Sequence, residues 1–414
     1  MTKITSDHSL QRLLKRGVAE IITEDKLAEL LKSGKRLRLK EGLDPSAPDL
    51  HLGHMVALRK LRQFQELGHK VVLIVGDWTA RIGDPSGMSI MRPMLSAEEV
   101  EANAKTYMEQ FFKIVDKEKT EVRWQSEWYN QFGLSDIISL SSRFTVAQLL
   151  VRDDFNQRYH QGKPISIAEI LYPLLQAYDS VAIKADVEFG GTDQKFNLLL
   201  GRELQESLGQ SPQQVFLVPL LVGTDGQHKM SKSLKNYIGI TEPPEDIYGK
   251  VMSIPDSLIT SYLELLTDTP DSDLEEIKES LEHNTVNPME IKKMLAKDIV
   301  TQLYDKKVAE KAADYFLRVV QKKEIPQAIP EFYLKFSDFY QDNGRYDISR
   351  ILVSGGLVKS RSQALRLIKE GAVSIDDAKL IGPLASLTSG SVIKVGKLRF
   401  AKIINKESEG EENE

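Results

Sequence analysis

The chain has 414 residues and a formal net charge of −5, with 41% hydrophobic and 28% charged residues. This length exceeds one typical domain, so we expect two or three. The absence of cysteine excludes disulfides, a thiolate nucleophile and cysteine-bound zinc. With only seven scattered histidines, we also expect no structural metal. No apolar run reaches the ~18–20 residues that span a bilayer, and no signal-peptide core follows the first charges, so we expect a cytoplasmic protein.

The first 240 residues alternate short apolar strands with amphipathic helices. Val71–Asp77 (VVLIVGD) predicts a buried strand, and 54–67 has the apolar spacing of a helix that stops at Gly68. The pattern continues with a helix at 165–178, a strand and glycine turn at 187–193, and a strand within 215–223. This alternation is typical of an α/β, Rossmann-like domain with a parallel sheet, whose ligands bind at the carboxyl ends of the strands.

Changes in composition divide the chain further. The boundaries that we predict are an α/β domain at 1–240 with a helical connective insertion at 95–163, a helical domain at 241–325, a linker at 326–344, a small α+β domain at 345–405 and an acidic, disordered tail at 406–414. In the helical domain, Ile291, Leu295 and Ile299 step by four along one face. The tail, KESEGEENE, contains too few apolar residues to pack.

The small domain is basic although the whole chain is acidic. Between Arg345 and Lys402 there are eleven lysines and arginines against four aspartates and glutamates. A basic module on an acidic chain is a candidate RNA contact, because lysine and arginine neutralise phosphates. The same charge is equally typical of a solvated basic face, so charge alone leaves both interpretations open.

The motif GLDPSAPDLHLGH, at 42–54, joins a proline-containing loop to a predicted helix start. The free N–H groups and the positive dipole end of a helix N-terminus suit phosphate. His51 and His54 are candidate donors to phosphate oxygens, and Gly53 would let a flat ligand ring lie against its backbone. Taken alone, HxGH indicates either nucleotide handling or an ordinary helix start.

A second motif, GQHKMSKS at 226–233, follows a predicted strand. Lys229 and Lys232 lie three residues apart on a glycine-led loop, where they could close over a polyphosphate and stabilise the charge of a departing pyrophosphate. A lysine-rich surface loop is the alternative for this string. Because Lys229 follows His51 by 178 residues, on the other half of the same predicted sheet, the two motifs together favour the nucleotide interpretation.

This pair of motifs resembles the signature of class I aminoacyl-tRNA synthetases. Three further segments resemble the tyrosyl branch of that family: GDPSG at 83–87, LYPLLQAYD at 171–179 and GGTDQ at 190–194. The resemblance implies that ATP, accompanied by Mg²⁺, activates L-tyrosine to tyrosyl-adenylate with release of pyrophosphate. The tyrosyl group then passes to the 3′ end of tRNA(Tyr). Such chemistry depends on positioning and electrostatics and needs no protein nucleophile.

The resemblance also implies roles for individual residues. It implies catalytic roles for His51, His54, Lys229 and Lys232. It implies tyrosine binding by Asp44, Asp84, Tyr172, Gln176, Asp179 and Gln194. It implies ATP binding by Gly53, Gly191, Asp193, Lys229, Met230, Ser231, Lys232, Ser233 and Arg92. On a helix, Tyr172, Gln176 and Asp179 share one face, and in the family the match to Asp179 reads the tyrosine hydroxyl.

The segment 345–376, RYDISRILVSGGLVKSRSQALRLIKEGAVSID, resembles an S-four-like RNA-binding fold. This resemblance implies tRNA binding, for which the candidate residues are Lys359, Arg361, Arg366 and Lys369. A small basic packing or dimerisation module is the alternative interpretation. The family further implies a homodimer, with an interface around Phe132 to Phe144.

Two positions depart from the tyrosyl pattern. Lys40 stands where many relatives have a tyrosine that contacts the substrate hydroxyl. Met88 stands where many relatives have a basic residue, which leaves Arg92 as the candidate clamp on ATP. Two alternatives remain: a tryptophan-specific enzyme on the same fold, and a synthetase-like protein that binds RNA without catalysis. The amino acid that drives ATP turnover separates them.

Overall fold

The computed structural model describes residues 7–45, 49–85, 95–322, 329–396 and 399–409. Met88, Arg92 and the tail residues 410–414, for which we made predictions, lie outside these ranges. The chain divides into two compact units, Met1–Ala309 and Glu310–Glu414.

Within the described residues, the first unit contains a sheet of six strands. They are β1 (Glu20–Ile22), β2 (Arg38–Leu43), β3 (Lys70–Val75), β4 (Thr120–Trp124), β5 (Val187–Gly191) and β6 (Gln214–Val218). Their order across the sheet is β1-β6-β5-β2-β3-β4. β1 pairs antiparallel with β6, and the other neighbours pair in parallel. The predicted α/β class with a parallel sheet is therefore confirmed.

Helices connect and cover these strands. Those up to β6 are α1 (Asp7–Lys15), α2 (Glu24–Lys32), α3 (Leu52–Glu66), α4 (Thr79–Ile82), α5 (Ala97–Phe111), α6 (Ser126–Tyr129), α7 (Leu134–Ser141), α8 (Val146–Leu149), α9 (Asp153–His160), α10 (Ile167–Ile183) and α11 (Lys195–Ser207). Side chains alternate between the two faces of a sheet. On one face, Phe64 of α3 packs against Phe189 and Phe216. On the other, Val72 and Ile74 join the core formed with α10 and α11.

The ends of α3 and α10 follow from local sequence signals. α10 begins after Ser166, whose side chain accepts a hydrogen bond from the Glu169 N–H while Glu169 caps the Ser166 N–H in return. It continues to Ile183, past the predicted end at Tyr178, because Val181 and Ile183 are buried in the core. It ends at Lys184, which adopts a left-handed conformation with φ of 51°.

The segment 95–163, predicted as a helical insertion, also contains a strand. β4 pairs with β3 and forms an edge of the sheet. Its sequence, TEVRW, alternates charged with apolar residues and is only partly buried. An edge strand of this kind gives a weaker apolar signal than the fully buried β3, which explains why we did not predict it.

After β6 the first unit becomes helical, as composition predicts. The helices are α12 (Pro244–Met252), α13 (Ile259–Leu266), α14 (Asp271–Glu282), α15 (Pro288–Leu303) and α16 (Lys306–Tyr315), and the boundary between the two units falls within α16. A π-helical turn, Phe316–Gln321, follows α16. Leu295 and Ile299 of α15, predicted to share an apolar face, are both buried.

Beyond this turn, the described part of the second unit combines two further helices with short strands. These elements are β7 (Glu331–Leu334), β8 (Tyr346–Asp347), α17 (Ile348–Ser354), α18 (Arg361–Lys369), β9 (Val373–Ile375), β10 (Ala378–Lys379), β11 (Leu384–Ala385), β12 (Ser391–Val395) and β13 (Arg399–Asn405). The main sheet has the order β10-β9-β12-β13-β7, and β8 pairs with β11.

The predicted linker at 326–344 is partly ordered into this second unit. β7 pairs in parallel with β13, and Phe336 and Phe339 are buried in the core around α17. The nearby prolines at 326 and 330 hid this apolar pattern in the sequence. In the tail, Lys406–Glu409 forms a 3₁₀ turn. Across the described ranges, no helix combines the length and apolarity needed to cross a membrane.

Candidate active site

A cavity of about 390 Å³ opens beside the carboxyl ends of β2 and β5. β2 and β5 are neighbours although they lie far apart in the chain, and the strand order reverses between them. Open α/β sheets bind their ligands at such a point, because the helices that follow the two strands diverge there. The predicted residues that line the cavity are Asp44, His51, Gly53, His54, Asp84, Tyr172, Gln176, Asp179, Gly191, Asp193, Gln194, Lys229, Met230 and Ser231.

The HLGH motif forms the N-terminus of α3 through its own histidines. The Nδ1 atom of His51 accepts a hydrogen bond from the Gly53 N–H at 3.1 Å, and Nδ1 of His54 accepts one from the His51 N–H at 3.2 Å. A Cβ on Gly53 would approach the His51 ring to 2.9 Å, so the absence of a side chain permits this cap. With Nδ1 accepting, each neutral ring carries its hydrogen on Nε2, where it remains a donor.

Both histidine rings are held neutral. Burial, followed by the charges of nearby groups that include Lys232, lowers the pKa of His51 to about 2 and that of His54 to about 4. At neutral pH the helix start therefore offers two uncharged N–H donors. The positive charge beside them comes from the lysines of the second motif.

The backbone that follows the KMSKS motif, at 238–240, lies against the start of the HLGH motif. Leu52 donates its N–H to the Ile238 carbonyl, and Ile240 donates to the Leu50 carbonyl. Within the loop, the Asn236 side chain accepts from the Ser231 N–H and donates to the Lys229 carbonyl. Two segments that are far apart in sequence are thus joined around one cavity.

The two lysines of this loop have different surroundings. Lys229 Nζ lies 2.8 Å from Asp193 Oδ2. The lysine is therefore paired with a residue for which the family resemblance implies a role in ATP binding. Lys232 Nζ is buried, has no hydrogen-bond partner in the described part of the chain, and lies 5.8 Å from the centroid of the Tyr107 ring. Burial lowers the pKa of Lys232. Lys232 and Ser233 are not among the residues that line the cavity.

At the opposite end of the cavity, Asp179 is 2% exposed. Its Oδ2 accepts from Gln125 Nε2 at 2.7 Å, and its Oδ1 accepts from Trp128 Nε1 at 3.2 Å. The Tyr129 hydroxyl lies 3.4 Å from Oδ1. Burial raises the pKa of Asp179 to about 7. The carboxylate is thus fixed by donors on both oxygens and still has acceptor capacity for a ligand.

A second carboxylate, Asp44, lies just after β2. It accepts hydrogen bonds from the Tyr172 hydroxyl at 2.8 Å and from Thr79 Oγ1 at 2.6 Å. Burial raises its pKa to about 7. Tyr172 of α10 and Asp44 therefore form a joint polar wall of the cavity.

A third carboxylate, Asp84, belongs to a connected set of side chains. It binds Arg152 Nη2 at 3.2 Å and Gln194 Nε2 at 2.7 Å. Asn197 Nδ2 donates to the side-chain oxygens of both Gln176 and Gln194. The orientation of these two amides is thereby fixed by their neighbours before any ligand is present.

Comparisons with known proteins agree with this geometry. A family model described as "tRNA synthetases class I (W and Y)" matches residues 32–321. The chain belongs to this family. It is 61% identical over 399 residues to the protein named Tyrosine--tRNA ligase of Dehalococcoides mccartyi (strain CBDB1), covering 96% of this chain and 99% of that one. It is 51% identical over 399 residues to the protein of the same name from Carboxydothermus hydrogenoformans, covering 95% and 97%.

The fold comparison leads to the same family. A crystal structure of a tyrosyl-tRNA synthetase complexed with L-tyrosine from Archaeoglobus fulgidus matches with a TM-score of 0.61 at 25% identity, covering 74% of this chain and 99% of that chain. Among the residues that the structure describes, no group of three or more histidine, aspartate or glutamate side chains could hold a metal ion.

Several residues of this class I synthetase site were missed by sequence reasoning. Gln125 and Trp128 hold Asp179, and Tyr107 of α5 lines the cavity beside Lys232. Arg152 binds Asp84 and the side chain of Asn197. Asn197 in turn holds the side-chain amides of Gln176 and Gln194. These residues lie on separate elements and belong to no short motif, so only the folded chain reveals them.

The candidate RNA-binding residues lie in the second unit. Lys359, Arg361, Arg366 and Lys369 are all exposed on or beside α18. Arg361 Nη2 is paired with Asp347 Oδ2 at 2.8 Å. It therefore also attaches the start of α18 to the start of α17.

We predict that His51 and His54 stay neutral throughout the physiological range. In ¹⁵N-histidine spectra recorded from pH 8 to pH 5, both rings should keep the Nε2–H tautomer without titrating, because burial disfavours the charged form. His51→Asn and His54→Asn variants assign the two signals, and asparagine preserves a capping oxygen. A ring that titrated near pH 6.5 would contradict the prediction that burial keeps that histidine neutral.

Proposed function

We propose that the protein is a tyrosine–tRNA ligase that activates L-tyrosine with ATP and transfers it to tRNA(Tyr). The observation that carries this proposal is a single cavity with a buried aspartate at one end and both nucleotide motifs at the other. Relatives that bear the name Tyrosine--tRNA ligase, at 48–61% identity, support it. Membership of the W and Y family alone would leave tryptophan open.

In this proposal, Asp179 accepts a hydrogen bond from the substrate phenol. The α-ammonium group would lie among Asp44, Asp84 and Tyr172, with Gln176 and Gln194 beside it. The described acidic and amide groups support this orientation, because they are already held by neighbouring hydrogen bonds and need little reorganisation on binding. The carboxylate then points toward the HLGH and KMSKS motifs.

The first step is a displacement at phosphorus. A carboxylate oxygen of tyrosine forms a bond to the α-phosphorus of ATP, the bond from that phosphorus to the bridging oxygen of the β-phosphate breaks, and pyrophosphate leaves with its Mg²⁺. The Nε2–H groups of His51 and His54 and the ammonium groups of Lys229 and Lys232 stabilise the charge that develops on the phosphate oxygens. Asp193 and Gly191 would hold the ribose, with Gly53, Met230, Ser231 and Ser233 around the nucleotide.

The second step transfers the tyrosyl group. A terminal ribose hydroxyl of the tRNA attacks the carbonyl carbon of tyrosyl-adenylate and gives up its proton to a phosphate oxygen of the adenylate. The bond from the carbonyl carbon to the phosphate oxygen breaks, and AMP leaves with its electrons. This step requires tRNA to reach the same cavity from solvent. Since tRNA and ATP are cytoplasmic substrates in translation, we propose that the protein acts in the cytoplasm.

Tyrosine-dependent exchange between ATP and labelled pyrophosphate tests the activation step. We expect exchange with tyrosine and none with tryptophan or phenylalanine. Phenylalanine leaves the buried Asp179 acceptor unpaired, and the larger indole of tryptophan carries its N–H donor at a different position from the phenol hydroxyl. Exchange with tryptophan would instead support tryptophan specificity, the other specificity of the family. No exchange with any of the three would favour a non-catalytic RNA-binding protein.

The two loop lysines provide a sharper test of the mechanism. Lys229→Ala and Lys232→Ala should each slow single-turnover adenylate formation by about 100-fold or more, with little change in tyrosine affinity, because their charge is needed mainly as pyrophosphate leaves. Lys235→Ala is the matched control, since Lys235 is an exposed lysine of the same loop. Near-normal adenylate formation by either test variant would remove that lysine from the catalytic assignment.

We propose that two copies of the chain form a homodimer around Phe132 to Phe144. The segment 134–167 carries large apolar side chains that are 60–76% exposed, among them Leu134, Ile138 and Ile167. A self-complementary contact would remove this surface from water. Light scattering should give a dimer mass for the unchanged chain and a monomer mass for Ile138→Asp. A monomer at working concentration for the unchanged chain would contradict the proposal.

We propose that the second unit is an S-four-like domain that grips tRNA. Exposed Lys359, Arg366 and Lys369, with Arg361 nearby, support phosphate contacts. An Arg366→Ala and Lys369→Ala double variant should raise KM for tRNA severalfold and leave tyrosine-dependent exchange unchanged. Arg361 is excluded from this test because of its ion pair with Asp347. An unchanged KM for tRNA would count against the contact.

A further inference from the structure

Lys40 is a fully buried lysine in the centre of the sheet, 0% exposed. It lies on β2 opposite Glu188 of β5. Its Nζ contacts Glu188 Oε1, the Gln176 carbonyl and Ser180 Oγ, each at 2.8 Å. These three acceptors match the three N–H donors of an ammonium group. Lys40 therefore has no donor left for a ligand.

Stability alone does not explain this ion pair. Moving two charges out of water costs several kcal/mol per ion, and well-packed apolar residues in their place are often as stable. The pair therefore calls for another explanation, which its contacts supply. Lys40 binds the turn of α10 from Gln176 to Ser180, and Asp179 projects from that turn.

Asp179 needs a nearby positive charge. Both of its oxygens already accept N–H groups, and hydrogen bonds to the charged form favour that form. Of the charged groups that face it, Lys40 on β2 favours the carboxylate, whereas Glu188 on β5 and Asp44 after β2 oppose it. From α6, the Tyr129 hydroxyl also faces Oδ1.

We propose that Lys40 is a positioning residue for recognition of the tyrosine hydroxyl. Its ammonium group fixes the α10 turn that carries Asp179 and supplies a positive charge that favours the ionised, hydrogen-bond-accepting form of this buried carboxyl group. The inference rests on the proposed function, because it takes Asp179 to be the partner of the substrate phenol. It also explains the departure at this position: Lys40 acts through Asp179 rather than by touching the substrate.

The pH dependence of KM for tyrosine in pyrophosphate exchange tests this proposal with a Lys40→Met variant. Protonation of Asp179 should weaken tyrosine binding as pH falls through its pKa. This loss of binding gives the profile of KM against pH an acidic limb, where KM rises as pH falls. In Lys40→Met we expect the acidic limb to move to higher pH by about one unit or more, with KM for tyrosine about tenfold higher at neutral pH. KM for ATP should stay within about twofold.

Two further variants separate charge from structure. Glu188→Gln removes a negative charge that faces Asp179, so it should move the limb in the opposite direction, to lower pH. Lys60→Met is the matched control: Lys60 is another buried lysine of the first unit, but its Nζ donates to the Leu13 carbonyl and it does not line the cavity. The control should leave the limb where it is.

Should Lys40→Met fail to fold, a Lys40→Met and Glu188→Met double variant avoids an unpaired buried glutamate. It should show an upward shift smaller than the one expected for Lys40→Met alone. A limb that moves no further in the Lys40 variants than in Lys60→Met would overturn the inference while leaving the proposed function intact. Absence of tyrosine-dependent exchange in the unchanged protein would instead contradict the proposed function itself.

Discussion

The parallel pairing of β2 with β5 is the constraint on which the rest of the site depends. These strands come from the two halves of the α/β unit, and the chain leaves their carboxyl ends toward different helices. α3 follows β2 and α11 follows β5. Because these two helices diverge, they leave the carboxyl ends of β2 and β5 uncovered, and those ends face the cavity. The pairing is itself held by buried groups, with Lys40 opposite Glu188 on one face. On the other face, Phe189 and Phe216 stack at 4.7 Å between ring centroids, and Phe64 packs edge-on against both.

The cavity is preorganised by hydrogen bonds within the protein. The α3 start is capped by its own histidines, and burial keeps both rings uncharged as Nε2–H donors. The loop with the lysines is tied by Asn236, whose side chain bonds the backbone of Ser231 and Lys229. At the other end, Asp179 is fixed by side chains of the α6 region. Little of this network has to form on ligand binding, which is how a site without a nucleophile lowers a barrier.

Local patterns in the sequence predict the parts of this site that lie on one element. The spacing of Tyr172, Gln176 and Asp179 predicts a shared helix face, and all three line the cavity. The buried β3 is equally evident from its apolar run, whereas the edge strand β4 is not. Groups that act across elements leave no local signal. In the sequence, Lys40 is evident only as a departure from the tyrosyl pattern. The register of β2 against β5 is what brings it to Glu188 and the α10 turn.

The positions of the charged groups agree with the proposed orientation of the substrates. Asp44, Asp84 and Asp179 lie near α10, where Arg152 pairs with Asp84. The two loop lysines lie near the histidines at the start of α3, where Lys229 pairs with Asp193. An amino acid enters such a field with its ammonium group toward the acids and its carboxylate toward the cations, where a polyphosphate is also attracted. In the proposed mechanism, the same field brings the nucleophilic carboxylate to the phosphorus that it attacks. The neutral histidines then donate Nε2–H groups to the phosphate oxygens without adding further positive charge.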